Sequence, residues 1–167
     1  MANYSMNANA EPDFEETVKF LIKKYNIQSI VETGTFHGDG STSVFARTGL
    51  RVTTIECNPQ SNAMAKINLR PFPNVDPLWG YSLPLPEMRD FIDKDDIYDR
   101  QHSLGIQAEG DSPAEAKAGY NKELGAFPIP EDLLRVFGDV AERQIIFLDS
   151  AGGVGYAEFK KFLQFKK

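Results

Sequence analysis

The sequence is short of several things. It has one cysteine, Cys57, and two histidines, His37 and His102. A lone thiol excludes an intrachain disulfide and points to a reducing compartment, the cytoplasm. No apolar run is long enough to cross a bilayer. The N-terminal stretch "MANYSMNANAEPDF" lacks both a basic and an apolar region, so a secretory signal is not expected there. There is no basic run beyond the final "FKK", and the net charge is −6. That balance argues against a phosphate-binding surface and so against a nucleic-acid partner. There is no internal repeat and no low-complexity tract. Two nucleotide fingerprints are also missing. The glycines Gly34, Gly38 and Gly40 do not fit G-x-G-x-x-G, and no Gly-Lys-Ser/Thr closes a phosphate loop.

What remains is a chain of 167 residues with an ordinary soluble balance, enough for one domain with one core. Residues 1–11 are small and polar, and a flexible terminus is expected. The rest, 12–167, reads as one domain. "DFEETVKFLIKKYN" predicts an amphipathic helix, with Asp13 and Glu16 as a capping box. Then "QSIVET" predicts a strand, "STSVFART" a helix, "RVTTIE" a strand and "PQSNAMAKINL" a helix with Pro59 in its first turn. "VDPLWGYS" is a weaker strand, interrupted by Pro77. Alternation of this kind is the mark of an α/β fold with a mostly parallel sheet. Residues 84–128 break the pattern and read as an insertion, with a helix across "SPAEAKAGYNKEL" and either a functional lid or a solvated acidic loop as its role. "PEDLLRVFGDV" predicts a helix and "RQIIFLDS" the strongest strand. "YAEFKKFLQF" follows as a helix with Tyr156, Phe159, Phe162 and Leu163 on its apolar face.

The stretch "VETGTFHGDGST", residues 31–42, carries the chemistry. It leaves the carboxyl end of the first strand, where parallel sheets form their ligand crevice. Glycines there permit positive φ and let backbone N–H groups approach a ligand. The helix that begins near Ser41 would aim its free N–H groups at the same place. Taken alone, the loop fits a ligand site and a plain strand-to-helix turn about equally. Glu56 favours the ligand site. It stands at the end of the second strand, 18 residues beyond Gly38, where a carboxylate can accept from the hydroxyls of a ribose.

Three motifs together, "VETGTFHGDGSTSVFA", "VTTIECNP" and "IIFLDSAGG", resemble the class I S-adenosylmethionine-dependent methyltransferases, in the group with an E-x-G-x-x-x-G first motif. The resemblance covers roughly residues 27–82 and 144–165. It implies a Rossmann-like, doubly wound sheet and S-adenosylmethionine as cofactor. Gly34 and its neighbours Thr35, Gly38, Gly40 and Ser41 would line the methionine part. Glu32 would orient the loop or reach the cofactor's ammonium. Glu56 would bind the ribose, Tyr81 and Ser82 would lie near the adenine, and Asp149 would face the substrate or the methionine end. The implied reaction is O-methyl transfer to a small molecule or sugar. Methyl transfer is a displacement that needs in-line positioning, and a base only where the acceptor must lose a proton. His37 is nearest in sequence, though a histidine in such a loop is more often a hydrogen-bonded spacer, and His102 would have to arrive on a lid. One carboxylate, Asp149, makes no metal site, so no metal is expected.

The chain departs from the family in carrying "GYS" where many relatives have an acid, and in the segment 84–128. The family sheet has seven strands in the order 3-2-1-4-5-7-6, whereas this sequence supplies about four, in the order 3-2-1-4. The fourth strand would then be an open edge, to be covered by a second copy in a homodimer, by the insertion or by further chain. The rival reading is a truncated, non-catalytic module of the same fold acting in binding or assembly. A third is another doubly wound nucleotide-binding enzyme.

Overall fold

A computed structural model describes residues 12–94, 96, 99–100, 112–127, 143–150 and 153–165. The expected helix over 130–140, the terminus 1–11 and His102 lie outside the described residues. The elements run α1 (Pro12–Tyr25), β1 (Ser29–Thr33), α2 (Ser41–Arg47), β2 (Arg51–Glu56), α3 (Pro59–Asn68), β3 (Val75–Trp79), α4 (Leu85–Lys94), α5 (Pro113–Ala126), β4 (Gln144–Leu148) and α6 (Gly153–Phe165).

The four strands form one all-parallel sheet in the order β3-β2-β1-β4. The chain steps outward from β1 to β2 to β3, then returns to place β4 on the other side of β1. The direction therefore reverses between β1 and β4, and at such a reversal the loops part and leave a crevice. β1 is buried on both faces, which explains why "SIVET" shows no alternation of polar and apolar residues. Its neighbours Glu32 and Thr33 bond to opposite sides. Glu32 accepts from Ser41 and Thr42 of α2, and Thr33 donates to Glu158 of α6. Since successive strand residues point to opposite faces, α2 and α6 cover different faces and the sheet is doubly wound.

One core cluster joins Val18, Ile30, Phe45 and Val52 between α1, α2 and the sheet, with Phe14 packed against both Phe45 and Phe147. The other joins Tyr81, Leu83, Met88, Ile92, Ala116, Tyr120, Leu124 and Ala157. The second cluster draws on residues of the 84–128 segment. α4 was not expected, yet Met88 and Ile92, four apart on one face, are fully buried. α5 was expected, and it starts as the sequence suggests, with Ser112 accepting from the N–H of Glu115 and Pro113 in the first turn. α3 starts in the same way, with the Asn58 side chain accepting from the N–H groups of Gln60 and Ser61.

Three local expectations need correction. α1 begins at Pro12, so Asp13 lies inside its first turn and acts with Glu15 on the helix dipole rather than as a cap. β3 ends at Trp79, and Pro77 is tolerated because β3 is an edge strand. On α6 the buried positions are Ala157 and Glu158, while Phe159 and Leu163 are 46% and 51% exposed. Of the expected apolar face, Phe159 and Leu163 thus lie outward, Tyr156 packs its ring on Phe91 of α4, and a charged residue, Glu158, lies against the sheet. No helix among the described residues is long and apolar enough to cross a membrane.

Candidate functional site

A cavity of about 430 Å³ opens at the carboxyl ends of the strands. Its floor comes from Thr33 and Gly34 at the end of β1, Ile55 to Asn58 at the end of β2, Gly80 to Ser82 after β3, and Asp149 and Ser150 after β4. Met88 of α4 and Tyr120, Leu124, Ala126 and Phe127 at the end of α5 close the far side. The volume and the apolar wall with a few polar groups are those of a small-molecule site. The α5 wall is tied down by a hydrogen bond from Tyr81 Oη to the Leu124 carbonyl, 2.8 Å.

Of the residues singled out from sequence, Gly34, Glu56, Tyr81, Ser82 and Asp149 line this cavity; Glu32, Thr35, Gly38, Gly40 and Ser41 do not. Glu32 is 0% exposed and sits beneath the loop. Its carboxylate accepts from Ser41 Oγ, from Thr42 Oγ1 at 2.6 Å and from Thr54 Oγ1 at 2.8 Å. Thr35 Oγ1 joins the same network, 2.5 Å from Thr54 Oγ1. Burial pushes the Glu32 carboxyl up to about 7, against the pull of the three hydroxyls. Of the two roles open to it, the geometry is that of orienting the loop. The Ser41 and Thr42 hydroxyls at the start of α2 thus face the chain's own Glu32.

Gly34 is required for a reason the sequence did not reveal. Its φ is +81°, and a Cβ there would lie 2.3 Å from the Asp149 carbonyl oxygen. It lets the loop after β1 pass against the loop after β4. Gly38 has φ +75°, and a Cβ there would lie 2.8 Å from the side chain of Leu69, the residue that caps α3. Gly40 meets nothing within 4 Å.

Glu56 is pinned at the end of β2. It accepts from the backbone N–H groups of Phe36 and Asn58, both at 2.7 Å. A carboxylate has about four acceptor sites, so two remain for a ligand's hydroxyls. Beside it the Cys57 thiol is pushed up to about 12 by burial and by the neighbouring Glu56 charge, and it stays protonated. Asp149 is exposed at the rim, and the shielding that its carboxyl does have raises its pKa. His37 does not line the cavity; its ring stacks on Phe36, and its carbonyl accepts from Asn68. Among the described residues no Lys, Arg or His lines the cavity, whereas Glu56 and Asp149 both do. Among the described residues no group of three His, Cys, Asp or Glu could hold a metal ion.

Sequence reasoning missed three contributors. Phe36 lines the mouth, 61% exposed, with φ +51°. The end of α5 supplies the apolar wall. Glu158, 1% exposed, lies directly behind three lining residues and accepts from the hydroxyls of Thr33, Ser82 and Ser150. No local pattern marked Glu158, because the face that α6 buries at Ala157 and Glu158 is not the one its aromatic residues suggest.

No family model matches the chain, and no curated protein does. Among solved structures, the chain is similar to a provisionally assigned caffeoyl-CoA O-methyltransferase from Staphylococcus aureus, with 32% identity over 51% of this chain and a TM-score of 0.39. The chain spans 42% of that protein's length. It is also similar to an O-methyltransferase from Bacillus cereus in complex with SAH, with 17% identity over 72% of each chain and a TM-score of 0.40. Overlap at that level leaves the chemistry to be read from the site's own residues.

Proposed function

We propose that the cavity binds S-adenosylmethionine and that the chain is a methyltransferase-like protein acting on a small molecule. The observation that carries this reading is the charge of the site. Among the described residues, two carboxylates and no basic side chain line a cavity at the carboxyl ends of a parallel sheet. A pyrophosphate-bearing nucleotide would meet negative charge there, whereas a ligand bearing sulfonium and ammonium groups would meet opposite charge. The donor set fits that cofactor. Glu56 has acceptor sites left for a ribose, Tyr81 and Met88 give apolar surface, and Asp149 adds the second negative charge. When bound, the cofactor would supply an electrophilic methyl group. The chain's part is to position it and to exclude water. For a hydroxyl acceptor, Asp149, at the rim with a raised pKa, is the lining carboxyl placed to hold the proton released.

Equilibrium dialysis with S-adenosylmethionine and with S-adenosylhomocysteine, its uncharged thioether, tests this. The charge of the site predicts that the sulfonium form binds at least as tightly as the thioether. Retention of NAD in preference to both would refute the reading.

A further inference from the structure

The geometry points to Glu158 as a positioning residue that sets the hydrogen-bond polarity of one cavity wall, so that the wall made by Thr33, Ser82 and Ser150 selects an N–H-bearing group of the ligand. The inference rests on the cofactor reading above and adds to it which ligand groups that wall recognises, and how.

Glu158 comes from α6, on the far side of the sheet from α2, and is 1% exposed. Its carboxylate gathers hydroxyls from the ends of three strands. Thr33 Oγ1 donates to Oε2 at 2.9 Å, Ser150 Oγ to Oε1 at 2.9 Å, and Ser82 Oγ also to Oε1. All three residues line the cavity. A hydroxyl has one proton and two lone pairs, and a carboxylate can only accept. Above the burial-raised pKa of Glu158, where it is ionised, all three protons are committed to it and the three oxygens keep acceptor capacity alone. Glu56 and Asp149, elsewhere on the lining, are acceptors too. A carbonyl or ether of the ligand would find no hydroxyl donor among these three residues, while an N–H would find an acceptor. An unpaired polar group in a buried site weakens binding, so the choice has consequences for affinity.

A cofactor of the proposed kind has two N–H sources, the exocyclic amine of its purine and its α-ammonium. The test uses S-adenosylhomocysteine, its purine analogue without the exocyclic amine, and its analogue without the α-amino group, titrated by calorimetry. For the natural chain, one analogue should bind at least tenfold more weakly than the parent. In Glu158→Gln the side-chain amide donates to one hydroxyl and frees that hydroxyl's proton, so the wall gains a donor. The same analogue's penalty should then fall to threefold or less, while the other analogue's ratio stays as it was. Ser150→Ala, at a partly buried position, should shrink the same penalty, and it keeps the test open if the glutamine variant does not fold. Unchanged ratios for both analogues in a folded variant would overturn the inference and leave the cofactor reading standing. No binding of S-adenosylhomocysteine to the folded natural chain would overturn both.

Discussion

Replacing Glu32 by Gln tests the loop architecture, and its effect can be worked from the structure. Glu32 is wholly buried and holds Ser41, Thr42 and Thr54 by their hydroxyls. Burial pushes its folded pKa to about 7, from an ordinary 4.5. Between those values the folded chain binds more protons than the unfolded chain. Stability is therefore highest below about 4.5, falls as pH rises through about 7, and levels above it. At about 1.4 kcal/mol per pH unit, the gap corresponds to about 3 kcal/mol. A glutamine does not titrate and so lacks this slope. It keeps one carbonyl oxygen for two of the hydroxyls and asks the third to turn. The variant should be less stable than the natural chain at pH 4.5, and the deficit should shrink by about 3 kcal/mol by pH 7.5. Glu158 and Asp149, also raised by burial, add a slope of the same sign to both proteins, and the difference isolates Glu32. The assay is urea unfolding followed by circular dichroism at half-unit pH steps. Parallel stability curves for the two proteins from pH 4.5 to 7.5 would refute the assignment of a raised pKa to Glu32. Glu32→Ala goes further, since three buried hydroxyls lose their acceptor at about 1–3 kcal/mol each. Against a typical total of about 5–15 kcal/mol, that variant should be at the edge of folding.

Further outcomes are expected elsewhere. Gly34→Ala should lose several kcal/mol (about 3 or more), because the added carbon meets the Asp149 carbonyl at 2.3 Å and φ is +81°; a natural unfolding midpoint would refute the close approach. Met88→Ala should cost about 2–5 kcal/mol by the same assay, since the side chain is 1% exposed in the core shared by α4, α5 and α6. A cost under about 0.5 kcal/mol, the range of surface substitutions, would make α4 a surface appendage. Cys57, with its thiol at about 12, should be alkylated slowly in the folded chain at pH 8 and at the rate of a free thiol after unfolding. Equal rates in the two states would contradict its shielding.

Much of the framework was legible in the residues. Strands β1, β2 and β4 announce themselves by β-rich runs, and their alternation with α2 and α3 gives a mostly parallel sheet, whereas the order 3-2-1-4 was implied only by the family resemblance. Glu56 was legible because its place depends only on where β2 ends. Gly34 was legible as a special position but not for its cause, since its neighbour in space, Asp149, is more than a hundred residues away in sequence. The roles of Glu32 and Ser41 were only half legible. Whether such a pair faces a ligand or each other depends on how α2 leans on β1, which no local pattern encodes. The α5 wall and Glu158 were hidden for a related reason. Helix α4 buries Met88 and Ile92, with Leu85 and Phe91 packed beside them, among charged residues, and α6 leaves Phe159 and Leu163 exposed. In both helices tertiary packing, not the size of the apolar stripe, decides which face is buried.

The most direct measurement is a calorimetric titration of the natural chain and of Glu56→Ala with S-adenosylmethionine, with NAD as the control. The account predicts micromolar binding to the natural chain, about −8 kcal/mol, and no heat from NAD. It also predicts binding at least tenfold weaker in the folded Glu56→Ala chain, whose lost carboxylate stands at the end of β2 on the cavity floor. Absence of binding by the folded natural chain, or equal binding by the two proteins, would contradict it.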